Sequence, residues 1–198
     1  IEVAPDGRLF VGVGSSGNIG VEPDPKATIQ VFNADGSGQR TFASGVRNPV
    51  GLAFHPRTGE LWAAVQERDG AGDRLVPDFL ARIEDGAFYG WPYSYTGQNP
   101  QPGFARMAPD KVAAARTPDL LFEPHSAAMD FVFWTGERVP QGYSGDAIVA
   151  LKGSWNRLEP TGYKVVRVKF AEGRPVGWYD NFVTGFWVGG DEKAEVWG

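Results

Sequence analysis

Gly51-Leu52-Ala53-Phe54-His55-Pro56-Arg57-Thr58-Gly59-Glu60-Leu61-Trp62-Ala63-Ala64-Val65 reads as two apolar strands joined by a tight turn. Thr58-Gly59 between β-forming runs is a hairpin signal, because glycine accepts the positive φ that such turns require. The same unit opens the chain, where Ile1-Glu2-Val3-Ala4-Pro5-Asp6-Gly7-Arg8 leads into Leu9-Phe10-Val11-Gly12-Val13. A looser copy runs from Met129 to Leu151: Met129-Asp130-Phe131-Val132-Phe133-Trp134, Thr135-Gly136, a longer loop ending at Gly145-Asp146, then Ala147-Ile148-Val149-Ala150-Leu151.

Each hairpin is followed by a third strand candidate with its own glycine turn: Ala27 to Asn33 before Asp35-Gly36, Phe79 to Ile83 before Asp85-Gly86, and Tyr163 to Phe170 before Glu172-Gly173. In the last of these Val166, Val168 and Phe170 share one face and Arg167 and Lys169 the other, the period of a half-buried strand. Weaker fourth strands are expected at Arg40-Thr41-Phe42-Ala43 and Asn181-Phe182-Val183. Four strands per unit, recurring after roughly 50 residues, is the pattern of a β-propeller blade. The expected fold is all-β, with about three blades spanning 1–48, 49–126 and 127–198. Three blades do not close a ring, since propellers use about four to eight, so the chain reads as a propeller fragment. Trp91 to Pro118, rich in Gly, Pro, Gln and Asn, is expected to be a long loop carrying a short helix around Lys111-Val112-Ala113-Ala114-Ala115.

Composition narrows the function. With 42% apolar and 13% aromatic residues, 27 Gly and 15 Pro, the chain is globular and rich in turns. Its net charge of −5 is spread without a basic block, which argues against a nucleic-acid or anionic-membrane surface. It contains no cysteine, so disulfides and thiolate metal sites are excluded. No apolar run approaches the ~18 residues of a membrane span. A small-molecule ligand fits best.

Several motifs could carry chemistry. In Arg47-Asn48-Pro49, Pro49 biases Asn48 toward an extended conformation. A cation and an amide then stand at a strand mouth, ready for an anionic or carbonyl-bearing ligand; the alternative is a turn with an exposed arginine. Gly12-Val13-Gly14-Ser15-Ser16-Gly17 matches the dinucleotide glycine pattern, but Pro23 and Pro25 follow where a phosphate-binding helix would be needed. A loop at a blade edge is expected instead. Glu67-Arg68-Asp69-Gly70-Ala71-Gly72-Asp73 gathers oxygen ligands suited to Ca²⁺ without EF-hand spacing; a solvated acidic loop with Arg68 paired to a neighbour is the alternative. His55 is expected to be an exposed turn residue, and His125 either a proton shuttle or a packed, hydrogen-bonded histidine. No zinc-site pattern and no Gly-x-Ser-x-Gly elbow occurs. In Lys152-Gly153-Ser154-Trp155-Asn156-Arg157, two cations flank an indole, an arrangement suited to a flat polyanion or to a simple surface Trp-Arg pair.

Arg47-Asn48-Pro49-Val50-Gly51-Leu52 and Gly153-Ser154-Trp155-Asn156-Arg157 together resemble the glucose/sorbosone dehydrogenase family, toward its L-sorbosone dehydrogenase-like members. Similar words recur in order at Gly12 to Ser16, Gly59-Glu60-Leu61-Trp62, Glu67-Arg68-Asp69, Phe88-Tyr89-Gly90-Trp91-Pro92, His125-Ser126-Ala127 and Gly162 to Val166. The resemblance implies a six-bladed propeller that uses pyrroloquinoline quinone (PQQ) to oxidise an aldose or sorbosone-like sugar, hydride passing from the sugar C1 to a quinone carbon. It implies Arg47 as the residue that polarises the reacting quinone carbonyl. Asn48, Arg68, His125, Ser126, Lys152, Trp155 and Arg157 fall on the cofactor's side, with Lys152 or Arg157 pairing with its carboxylates. Glu67 and Asp69 become candidate Ca²⁺ ligands, although their residue types depart from the glucose-oxidising members. The family's general base is a histidine just upstream of the strand that opens at Ile1, and further basic residues lie in a blade beyond Gly198. Half a site and no turnover by this polypeptide alone are therefore expected. The resemblance also implies a periplasmic or secreted protein, and leaves the electron acceptor open. Two rivals stand beside it: a Ca²⁺-dependent propeller lactonase, and a non-catalytic carbohydrate- or protein-binding propeller.

Overall fold

The computed structural model describes residues 1–191 and 193–197. Three four-stranded antiparallel sheets follow one another along the chain. The first is a meander of β1 (Glu2–Val3), β2 (Leu9–Val13), β3 (Thr28–Phe32) and β4 (Arg40–Ser44). The second contains β5 (Asn48–Phe54), β6 (Leu61–Gln66) and β7 (Pro77–Arg82). A small hairpin, β8 (Ser94–Tyr95) and β9 (Asn99–Pro100), and the helix α1 (Pro109–Ala114) then intervene. β10 (Leu120–Pro124) returns to pair with β7. The third sheet orders β11 (Ala128–Phe133), β12 (Ala147–Leu151), β13 (Lys164–Ala171) and β14 (Arg174–Val183). A short hairpin of β15 (Trp187–Gly189) and β16 (Glu195–Val196) follows it.

The run Leu61-Trp62-Ala63-Ala64-Val65 is apolar throughout because its sheet lies between the other two. Leu61, Ala63 and Val65, with Phe79 and Ala81, join the core shared with the first sheet through Phe10, Ile29 and Val31. Trp62, Ala64 and Leu80 point the other way, into Phe131, Val149, Val166 and Phe170 of the third sheet. Strand alternation thus distributes one continuous apolar stretch between two cores, as a sheet covered on both faces requires.

All three hairpins and all three third strands form where the sequence puts them, and α1 covers most of the expected helix. The fourth strand of the second sheet, β10, is an addition. It follows the long polar insertion, and its Leu120 and Phe122 face the core while Leu121 and Glu123 are exposed.

His55 departs from expectation. It is 1% exposed rather than a surface turn residue. Its Nδ1 accepts the backbone N–H groups of Arg57 and Thr58 at 3.3 and 3.2 Å, closing the turn from inside. The ring packs edge-on against Phe133 with centroids 4.8 Å apart, and burial holds its pKa below the ordinary value. The turn between β5 and β6 is pressed onto the third sheet. There Glu60 accepts from Arg174 and Arg82, which keep its carboxyl down at about 2. Within the third sheet the buried Asp146 accepts the N–H of Phe170 and the Nε–H of Arg167, so the long loop ending at Gly145-Asp146 is tied to β13.

Candidate functional site

The starts of β5 and β7, the end of β6, the loops after β6 and β10, and the loop after β12 meet around a cavity of about 210 Å³. Among its lining residues are Arg47, Asn48, Glu67, His125, Trp155 and Asn156. Arg47 sits in the link between the first two sheets, immediately before β5. Its Nε–H donates to the carbonyl of Asn18 at 3.0 Å, one terminal nitrogen to the carbonyl of Glu67 at 3.0 Å and the other to Asn18 Oδ1 at 3.4 Å. All three acceptors are neutral. Among the described residues no carboxylate forms an ion pair with Arg47, so its positive charge stays uncompensated by direct contact.

Asn48 Nδ2 donates to Gln66 Oε1 at 3.2 Å, and Gln66 in turn donates to the carbonyl of Ala128 at 3.1 Å, linking the second and third sheets at the cavity floor. The two glycines of the false dinucleotide pattern have their reason here. A Cβ at Gly12 would collide with the carbonyl oxygen of Pro49, and one at Gly14 with Oδ1 of Asn48. The loop beyond them is bound to Glu22, whose carboxylate accepts the N–H groups of Ser16 and Gly17 at 2.8 and 2.9 Å.

His125 is packed and hydrogen-bonded, and it lines the cavity. It is 8% exposed, with Nδ1 3.2 Å from Asp69 Oδ1 and Nε2 3.0 Å from the carbonyl of Gly72. Both His125 and Ala127, with φ of 67° and 53°, hold the left-handed conformation that non-glycine residues rarely adopt. Such outliers gather where a site over-determines the backbone.

Trp155, which lines the same cavity as Arg47, is 83% exposed, so its indole offers an open flat face. Asn156 Oδ1 is buried without a partner, as are one terminal nitrogen of Arg157 and the hydroxyl of Ser126. Buried polar groups left unpaired are uncommon in folded proteins, and each calls for a physical reason.

Not every expected residue arrives. Arg68 is not at the cavity: its Nε donates to Gln101 Oε1 at 2.8 Å and a terminal nitrogen to the carbonyl of Asp69. Lys152 lines a separate apolar hollow with Met129, Tyr163 and Trp197. The alternation that buries Val149 and Leu151 carries Ala150 and Lys152 to the far face of the third sheet. Three residues that the sequence reading did not single out matter more. They are Asn18, Gln66 and Asp78, the last buried and accepting the N–H groups of Glu67 and Ala128 at 2.8 and 3.2 Å.

Glu67 and Asp69 both line the cavity, yet the donor set fits Ca²⁺ poorly. That ion takes about six to eight oxygens, and among the described residues no three His, Asp or Glu side chains converge. Burial pushes the Glu67 carboxyl up to about 8, against the opposing pull of the Arg68 N–H and the charge of Arg47. Burial likewise raises Asp78 to about 6. Both acids bind protons more tightly folded than unfolded, so their contribution to stability is full below about pH 4 and is lost as pH rises through 6 and 8. Urea unfolding at pH 5 and pH 8 is expected to show the protein weaker at pH 8. Glu67→Gln should reduce that difference by roughly 2–4 kcal/mol; an unchanged difference would show that Glu67 is ionised throughout.

In fold, the chain is of the class represented by the PQQ-carrying sugar dehydrogenases: the holo PQQ domain of pyranose dehydrogenase from Coprinopsis cinerea superimposes with a TM-score of 0.71 at 24% identity, covering 91% of this chain and 57% of that one. The chain belongs to the glucose/sorbosone dehydrogenase family, whose model matches residues 25–173. An uncharacterised protein of Borreliella burgdorferi is 32% identical over 182 residues, 90% of this chain and 48% of that protein. The PQQ-dependent pyranose dehydrogenase of Coprinopsis cinerea is 29% identical over 208 residues, 81% of this chain and 28% of that enzyme. The chain thus spans half or less of the curated relatives it matches. Among the described residues no helix is long and apolar enough to cross a membrane.

Proposed function

We propose that the chain supplies three consecutive blades of a six-bladed quinoprotein propeller that oxidises an aldose or sorbosone-like sugar. The observation that carries the reading is Arg47: a guanidinium held by neutral oxygens alone, in a cavity that it shares with the amide of Asn48 and an exposed indole.

The residues suit PQQ, a flat quinone bearing three carboxylates. Arg47 would meet its reacting carbonyl, Asn48 an adjacent oxygen, and Trp155 its ring face. The unpaired polar atoms of Asn156 and Arg157 are candidates for its remaining oxygens. When bound, the cofactor accepts hydride from the sugar. What the chain itself contributes is a fixed cation where negative charge develops, and a donor fixed in advance stabilises the transition state more than the ground state. The network from Asn48 through Gln66 to Ala128 keeps the amide from swinging away when the site is empty.

Expressed in its longer reading frame, the protein is expected to reduce an artificial electron acceptor with aldoses only after addition of PQQ. The 198-residue chain alone is expected to bind PQQ without turnover. Quinone-independent lactone cleavage by the longer protein would select the lactonase instead, and dye reduction by the chain alone would show that these residues hold a complete site.

A further inference from the structure

Asn18 lies outside the cavity wall, yet both Arg47 and Asp69 are held by it. Its carbonyl accepts the Nε–H of Arg47 at 3.0 Å and the indole N–H of Trp91 at 3.3 Å. Its side-chain amide pairs with the backbone of residue 69 in both directions, Oδ1 accepting the Asp69 N–H at 2.8 Å and Nδ2 donating to the Asp69 carbonyl at 2.9 Å. The same Oδ1 lies 3.4 Å from a terminal nitrogen of Arg47. One residue thereby joins the turn after β2, the link before β5, the turn after β6 and the long insertion.

The chemistry of the anchor matters as much as its position. Arginine side chains are commonly fixed by carboxylates in bidentate pairs, which are strong and directional. Here two backbone carbonyls hold the guanidinium at 3.0 Å, and the side chain that joins them at 3.4 Å is an amide of the same shape as a carboxylate. An amide orients the guanidinium through dipoles and leaves its net charge for a ligand; a carboxylate would orient it equally well and cancel that charge at close range. One N–H on each terminal nitrogen of Arg47 remains without a protein acceptor, so three of the five donors serve the anchors and two are free.

We propose that Asn18 is the positioning residue of this anion site, aiming Arg47 and the Asp69 turn while remaining neutral so that the guanidinium stays available to a carboxylated, carbonyl-bearing ligand. This rests on the reading of the cavity as a PQQ site.

The test separates aim from charge. Binding of PQQ to the 198-residue chain is followed by quenching of tryptophan fluorescence, with benzene-1,3,5-tricarboxylate as a flat tricarboxylate that lacks the quinone. Asn18→Ala should weaken PQQ binding about threefold, and amide exchange should speed up at Asp69, whose N–H loses its acceptor. Asn18→Asp should weaken both ligands about tenfold or more, although it preserves the side chain's shape. In an Arg47→Ala background the extra penalty of the aspartate should vanish, because coupling between touching groups disappears with either partner. A merely structural Asn18 predicts the reverse order, with alanine worse than aspartate, and that order would overturn the inference. So would unchanged exchange at Asp69 in Asn18→Ala. If Arg47→Ala weakens PQQ and Asn18→Asp does not, the inference fails and the cofactor site stands. If neither variant weakens PQQ, both fail.

Discussion

Trp62→Ala is expected to remove about 3–5 kcal/mol of folding stability, the cost of emptying a large aromatic site in a packed core. The indole is fully buried in the middle sheet, with its ring centroid 5.0 Å from that of Phe170 and 6.4 Å from that of Phe133. It also lies beneath the guanidinium of Arg174, 6.0 Å from the ring centroid, and Arg174 reaches Glu60 across the same sheet boundary. Alanine would therefore loosen both the aromatic cluster and the ion pair that caps it. Against a typical total of roughly 5–15 kcal/mol, the loss should lower the melting temperature by about 6–20 °C. Trp62→Phe separates the contributions. The indole N–H is buried without a hydrogen-bond partner, so phenylalanine discards an unsatisfied donor along with part of the ring and should cost well under half as much. Calorimetry on the two variants decides: equal losses would mean that the cluster depends on the indole's full outline and not on apolar volume.

That Trp62 belongs to the core was legible in Leu61-Trp62-Ala63-Ala64-Val65, but to which core was not. Local signals carried most of the fold: glycine turns, β-branched runs and period-two alternation each act over fewer than about ten residues. β10 escaped because it follows an insertion whose proline and glycine content masks what comes after it. His55 escaped because turn chemistry predicts backbone shape, while its burial depends on Phe133 and Phe170, far along the chain. The site divides the same way. Arg47 and Asn48 could be found because Pro49 fixes them where loop becomes strand, a constraint written in adjacent residues. Asn18 could not, since its partner Asp69 stands 51 positions away. Gly12 and Gly14 carried the one clue that was present. Glycines without a phosphate-binding helix leave a surface bare of side chains, and the backbone and side chain of Asn48-Pro49 fill it. Residue type alone does not place a side chain: strand alternation carries Lys152 to the far face of the third sheet, and Arg68 turns to Gln101.

If the chain serves in a quinoprotein as proposed, Arg47→Ala made in that whole protein is expected to reduce PQQ-dependent sugar oxidation by about 10²–10³-fold in kcat, the usual consequence of deleting one fixed donor at a developing negative charge. The fold should survive. The groups that Arg47 leaves behind are the carbonyls of Asn18 and Glu67 at an open cavity, where water can replace it, so the melting temperature should move by no more than a few degrees. Arg47→Lys provides the sharper result. Lysine restores the charge but not the planar fork, and three acceptors now met by three different N–H vectors cannot all be served while a free donor still faces the ligand. Cofactor affinity, which responds to charge, should recover further than kcat, which responds to the placement of a single donor. If alanine and lysine lower kcat equally and leave PQQ affinity untouched, Arg47 acts on the sugar side of the reaction. If neither changes kcat, the cation in this cavity serves some anion other than the quinone.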